Sequence, residues 1–237
     1  MTRISVLIIS SLLALSAGAQ FRDAGLWVDY SLSTEFKKDF EFSISPEIRL
    51  DENLSRLARA FADVGAQYKI TKQFFVSVTY RGGMRNDGEF YDPRHRFQFG
   101  LGIRRKAGDF TFTYQPRWQA AVKASSSEND ADFVTTMRNK LQVKYTGLKG
   151  IDLSTSFEVF NNSTNYQGFV LQNWRWVGDI EKKINKQNSF SLGYLIQKSL
   201  LDSPQQIDFV ILASYKMQLN LFGKKKDEEK EPPVDTK

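Results

Sequence analysis

Nine charged side chains recur at similar distances from the short turns of this sequence, and they are its best candidates for a functional site. All nine occupy the polar positions of segments in which polar and apolar residues alternate. They lie about nine or ten residues from a turn, which is roughly 20 Å along a tilted strand. The predicted pairs are Asp29 opposite Glu47, Asp63 opposite Arg81, Arg96 near Arg117, and Arg138 opposite Glu158, with Arg175 at a similar height.

Two kinds of chemistry are open to this belt of charges. Opposite charges facing one another inside a narrow barrel would neutralise each other and fill the lumen. Rings of charged side chains also select ions in pores. The first interpretation is favoured because a barrel of about ten to twelve strands is narrow and the side chains of arginine and glutamate are long enough to close it. The belt is therefore predicted to be mainly structural, with ion selectivity as the alternative.

His95 is the only histidine in the sequence and the residue considered for a catalytic role. It falls on the apolar side of its segment, where an outer-membrane lipid hydrolase would need a serine within hydrogen-bonding distance. Its neighbours on the adjacent strands would be Gly82, Met84, Ala120 and Val122. We therefore predict no enzyme activity, and a lipid-modifying barrel enzyme that uses His95 remains an alternative.

No cofactor, metal or nucleic-acid site is predicted. Glu128, Asp130 and Asp132 form the nearest approach to a calcium-binding group, but a solvated acidic loop is the favoured interpretation. The chain has no cysteine, no glycine-rich phosphate loop and no strip of basic and aromatic residues. Its net charge of +6 is spread singly over polar strand positions, which argues against a nucleic-acid partner.

The segments that would position these charges are β-strands. From residue 94 to residue 122 the sequence alternates strictly on both sides of the turn at residues 107–109, which predicts a hairpin with one apolar and one polar face. Each arm is about ten residues or more, a length suited to a tilted bilayer crossing. The same pattern recurs in eleven segments; the least regular runs from about Leu57 to Ile70 and begins with a possible helical turn.

Short and long connections alternate along the chain. Tight turns are predicted at 37–39, 71–73, 107–109, 147–150 and 183–187, and longer polar loops at 51–55, 86–93, 124–131, 161–168 and 200–206. Aromatic residues gather beside the tight turns: Phe36, Phe40, Tyr68, Phe74, Phe110, Tyr145, Phe190 and Tyr215. Outer-membrane barrels combine these features, but bacterial ones normally have an even number of strands, so we predict ten to twelve.

The two ends of the chain are predicted to lie outside the barrel. Residues 1–19 read as a signal peptide, with a basic start, an apolar run and a small-residue cleavage site after Ala19. Residues 20–222 would form one barrel domain, and the charged, proline-containing stretch 223–237 a disordered tail. The mean hydropathy of −0.42 agrees with a barrel in which half of each strand is polar.

Alternation alone does not say which face points outward. A soluble lipocalin-like barrel would enclose a lipid with its apolar face, whereas a membrane barrel turns that face to lipid. Charges in mid-strand and aromatics gathered at one level favour the membrane version. The predicted fold is an all-β, antiparallel transmembrane β-barrel with a charged, largely filled lumen, located in the outer membrane.

Several dispersed positions resemble a known family. They are Trp27 at the start of a strand, Glu47-Ile48-Arg49, Tyr80-Arg81, Arg94-His95-Arg96-Phe97 and Pro116-Arg117-Trp118. They are similar to the small exported barrels grouped as domain of unknown function 2490, across about the whole mature chain. The resemblance implies an outer-membrane β-barrel and implies no activity.

The predicted function is therefore a porin-like outer-membrane barrel without catalysis, either a narrow channel or a structural or surface-binding protein. Its partners would be outer-membrane lipid and, during insertion, the barrel-assembly machinery. The second partner is predicted because residues 216–222 are similar to the aromatic-ended terminal strand that this machinery recognises. The sequence does not indicate a solute.

Overall fold

A computed structural model of the chain describes residues 22–88, 90–123, 132–164, 168–201 and 206–221. Every regular element in these ranges is a β-strand, and the strands close into one barrel in which chain neighbours are hydrogen-bonded. The predicted signal peptide and tail lie outside the described residues. The strands are β1 (Arg22–Phe36), β2 (Phe40–Asp51), β3 (Arg56–Lys69), β4 (Phe74–Asn86), β5 (Tyr91–Ala107), β6 (Phe110–Lys123), β7 (Asp132–Leu148), β8 (Ile151–Thr164), β9 (Gly168–Lys183), β10 (Asn188–Ser199) and β11 (Ile207–Leu219).

The barrel has eleven strands, so its closing pair is parallel. In an up-and-down barrel with an odd number of strands, the first and the last strand run in the same direction. β1 pairs with β11 in parallel from Arg22 opposite Ile207 to Thr34 opposite Leu219, whereas all other neighbours are antiparallel. The eleven segments of the sequence are therefore all in the wall, and the predicted barrel of ten to twelve strands is confirmed. The sheet departs from the predicted antiparallel arrangement only at this closing pair.

The apolar face of the wall points outward and the polar face points into the lumen. Phe97, Leu101 and Ile103 of β5 are exposed, and Gly100 and Gly102 between them are buried. Among the described residues, the buried apolar side chains of the core are only Phe75, Phe160, Leu195 and Val210. This arrangement is the reverse of a lipocalin-like barrel, which buries its apolar face around a ligand.

Local sequence features shape the wall. The Ala-rich start of β3 is extended. The predicted strand is therefore confirmed, and the possible helical turn does not form. Pro46 and Pro116 lie inside β2 and β6, and the ladders to β1 and β5 are each interrupted beside them. Proline has no N–H to donate, so each one removes a rung on one side of its strand.

The turns and loops separate to opposite ends of the barrel. β1 ends at the short turn 37–39, and the turn between β5 and β6 at Gly108 and Asp109 lies at the same end. Aromatic rings gather there as predicted: the Phe40 and Tyr68 ring centroids are 4.5 Å apart, and those of Phe110 and Tyr145 are 4.9 Å apart. We call this the short-turn end and the opposite one the long-loop end.

Candidate functional site

The nine predicted belt residues all lie on strand positions that face the lumen. The ladder places Asp29 opposite Glu47 and Asp63 opposite Arg81, as counting from the turns predicts. Eight of the nine line one central cavity of about 740 Å³ to which all eleven strands contribute: Asp29, Glu47, Asp63, Arg81, Arg96, Arg117, Arg138 and Arg175. The exception is Glu158, which is buried against its partners Arg117 and Arg138.

Two of the predicted pairings are in the wrong register. Arg117 lies opposite Gly100, and Arg96 lies opposite Ala121, four positions further from the turn, so Arg96 and Arg117 are not neighbours across the ladder. Arg138 lies opposite Phe160. The β7–β8 ladder is irregular between Tyr145 and Leu148, which a count from the turn cannot anticipate.

Glu158 is nevertheless the centre of the belt. Arg138 donates to it through two bonds, Nε to Oε1 at 3.0 Å and Nη2 to Oε2 at 2.9 Å. Arg117 on β6 reaches past β7 and donates Nη2 to Oε1 at 2.7 Å. Lys140 and Arg175 lie directly opposite Glu158 on the two flanking strands. One buried carboxylate, 4% exposed, therefore holds several cations together.

The other carboxylates of the belt are held by nearer partners. Asp63 accepts two bonds from Arg81, both at 2.6 Å, which is the paired geometry that fits a guanidinium to a carboxylate. Glu47 accepts from Arg49 at 2.5 Å, and Asp29 accepts from Ser214 Oγ at 2.8 Å. Arg175 donates to Gln197 Oε1 at 2.6 and 3.1 Å.

Aromatic side chains join the arginines into a chain around the lumen, and the sequence analysis missed them. The Arg49 guanidinium lies 3.5 Å from the centroid of Trp27, and that of Arg81 lies 3.4 Å from the centroid of Phe61. The Arg175 guanidinium is 5.1 Å from Trp27 and 5.0 Å from the centroid of Phe160. Contacts of this kind stabilise a cation without neutralising it. The sequence feature that could have predicted these contacts is an aromatic residue at a strand position where its neighbours on the same face are polar.

A second network of charges closes part of the short-turn end, and it too was not predicted. Asp152, which is 3% exposed, lies 2.8 Å from Lys144 Nζ and 3.1 Å from Lys183 Nζ. Glu181 lies 3.0 Å from Lys216 Nζ and 3.6 Å from Lys144 Nζ. The lumen is therefore largely filled by charged side chains, and the central cavity lies between this network and the long-loop end.

His95 lies on the outer face, opposite Gly82 on β4 and Val122 on β6, as predicted. Its Nδ1 is 2.7 Å from the hydroxyl of Tyr80. The serine-containing loop 124–131 and the acidic residues Glu128 and Asp130 lie outside the described residues. In the described ranges, no three histidine, cysteine or acidic side chains come together as metal ligands. No helix in those ranges is long and apolar enough to cross a membrane.

These features define a closed β-barrel with an apolar outer wall and a charged, largely filled lumen. Residues 24–208 match the family model described as "Protein of unknown function (DUF2490)". The match covers most of the chain, and the chain belongs to this family. A comparison with curated proteins finds no match.

Proposed function

We propose that the protein is an outer-membrane β-barrel without catalytic activity, whose lumen is closed by its own charged side chains. The observation that carries the proposal is the outer wall. Val64, Phe97, Leu141 and Ile180, on four different strands around the barrel, are each more than half exposed. An apolar surface that continues around the whole molecule far exceeds the patches of soluble monomers, and lipid is the solvent that fits it.

The interior supports the same proposal. Hydrophobic burial drives the folding of soluble domains, yet among the described residues the barrel interior is mainly polar and charged. In lipid the apolar outer wall is the favourable surface, and barrel closure satisfies the backbone hydrogen bonds. Short turns at one end and longer loops at the other fit a periplasmic and an external side. Lipid and, during insertion, the barrel-assembly machinery are the proposed partners.

We expect the protein to fractionate with the outer membrane and to change its gel mobility on heating. A closed barrel in which every strand is paired resists detergent until it is heated, so unheated samples should migrate as a compact species. The measurement is membrane fractionation followed by electrophoresis with and without boiling. Recovery in the soluble periplasmic fraction without detergent would overturn the membrane assignment.

A closed lumen predicts little or no conductance in a planar bilayer. Eight-stranded barrels are filled by side chains, and barrels of 16–18 strands hold aqueous channels. Whether an eleven-stranded barrel conducts ions therefore depends on how its side chains fill the lumen. Here Arg117 reaches Glu158 across β7, and Arg138 reaches Gln98 across β6. Stable open channels in the wild-type protein would instead favour the alternative, a narrow channel whose charges select ions.

A further inference from the structure

A second cavity, of about 200 Å³, lies near the long-loop end of the lumen and is lined by an unusual concentration of positive charge. Five arginines line it, and none of the described residues that line it is a carboxylate. We call these residues the arginine cluster: Arg59, Arg81, Arg85, Arg94 and Arg96.

The strand register explains how the arginine cluster forms. On β3 and β4, Arg59 lies opposite Arg85, and on β4 and β5, Arg81 lies opposite Arg96. Like charges that face each other across a ladder destabilise a sheet. Gly83, opposite Arg94, carries no side chain, and Phe61 of β3 packs against its backbone. The fold thus carries an unfavourable grouping of charge around an open space.

Most of the cluster's hydrogen-bonding capacity is unused. Arg81 is engaged by Asp63, and Arg94 Nη2 is 3.3 Å from Asp92 Oδ2. Arg94 Nε is buried without a hydrogen-bond partner in the described part of the chain. Within the same residues, Arg59, Arg85 and Arg96 have no ion pair and no side-chain hydrogen bond. A buried donor without a partner is costly, so an external acceptor would stabilise the fold.

We propose that the arginine cluster binds a phosphate group carried by a water-soluble molecule. Guanidinium groups present paired N–H donors that match the oxygens of phosphate. At about 30 Å³ per water molecule, the cavity has room for roughly six waters, and therefore for a tetrahedral oxyanion with some of its hydration. The cavity is also lined by Met84, His95 and Val122 from outward-facing positions, but the five arginines lie at lumen-facing positions of β3, β4 and β5. The phosphate would therefore enter from water at the long-loop end. This proposal rests on the lumen and holds whether or not the barrel conducts ions.

The test is the thermal unfolding midpoint of the refolded full-length protein in phosphate-free buffer, with inorganic phosphate added against sodium chloride at matched ionic strength. Phosphate should raise the midpoint by about 2–4 °C because a ligand stabilises only the folded state. Arg96→Gln and the double variant Arg59→Gln with Arg96→Gln should lose this shift. They should also be no less stable than the wild type without phosphate, because they relieve repulsion.

Arg104→Gln is the matched control. Arg104 lies on the same strand, about 26 Å from Arg96 towards the short-turn end, where it lies against Phe75. It should keep the full phosphate shift. The proposal is overturned if phosphate does not shift the wild type, if Arg96→Gln keeps the shift, or if Arg104→Gln loses it. A shift with phosphorylated lipid in the micelle but none with free phosphate would also overturn it.

Discussion

Replacing Glu158 with glutamine is expected to lower the free energy of unfolding by about 3–5 kcal/mol, the usual cost of removing one partner from a buried ion pair. Glutamine keeps the size of the side chain and removes its charge. Arg138 and Arg117 would lose their shared carboxylate while Lys140 and Arg175 remain on the flanking strands. In a protein of this size the thermal midpoint should fall by roughly 6–20 °C.

Glu35→Gln is the control for this experiment. It makes the same substitution in an ion pair, because Glu35 lies 3.1 Å from Lys69 Nζ, but that pair is near the barrel rim and well exposed. Exposed pairs contribute about 0–1 kcal/mol, so the midpoint should change little. Equal effects of Glu35→Gln and Glu158→Gln would show that lumen water screens the belt and that the lumen is open.

Exchanging the charges of Arg138 and Glu158 distinguishes a simple pair from a shared carboxylate. In an isolated pair, Arg138→Glu with Glu158→Arg would restore much of the lost stability. Here the new arginine at position 158 would meet Arg117, Lys140 and Arg175, which still carry positive charge. The exchange should therefore fail to rescue the barrel, which is a consequence of the register that the sequence alone did not indicate.

The sequence predicts the wall well because a strand alternates with a fixed period of two. That period identifies which residues of β5 share a face, and a tight turn transmits the register to the next strand. Asp63 and Arg81 were paired correctly in this way. The β7–β8 ladder is irregular near its turn, so the predicted ladder position opposite Arg138 was wrong by two, although the Arg138 side chain still binds Glu158 as predicted.

Barrel closure is harder to predict than hairpin pairing. Neighbouring strands are linked by turns visible in the sequence, but no local signal specifies that β1 meets β11, or that they meet in parallel. The even-number rule then conflicted with a correct count of eleven segments. The aromatic residues Trp27, Phe61 and Phe160 could have been found, because each interrupts a polar face. Their contacts with arginines depend on side-chain reach across the lumen and are not visible from spacing.

Gly83→Ala is expected to destabilise the barrel far more than Gly82→Ala, although the two glycines are adjacent. A Cβ at Gly83 would collide with the Cα and Cβ of Phe61 and with the carbonyl oxygen of Ala60. Backbone atoms cannot move aside as a side chain can, so the two strands would have to separate, at a cost of about 1–3 kcal/mol or more. At Gly82 the nearest atoms belong to the Tyr80 ring, at 3.3 Å, and the ring can rotate away.

This pair of variants also tests which face of β4 points inward. A slip of one residue in β4 would exchange its two faces, turning Arg81 towards lipid and separating it from Asp63. Gly82 would then take the crowded position, and Gly82→Ala would be the more damaging change. Thermal midpoints and the yield of heat-modifiable barrel, measured for both variants, decide between the two registers. A larger loss for Gly83→Ala supports the register that places Arg81 and the arginine cluster inside the lumen.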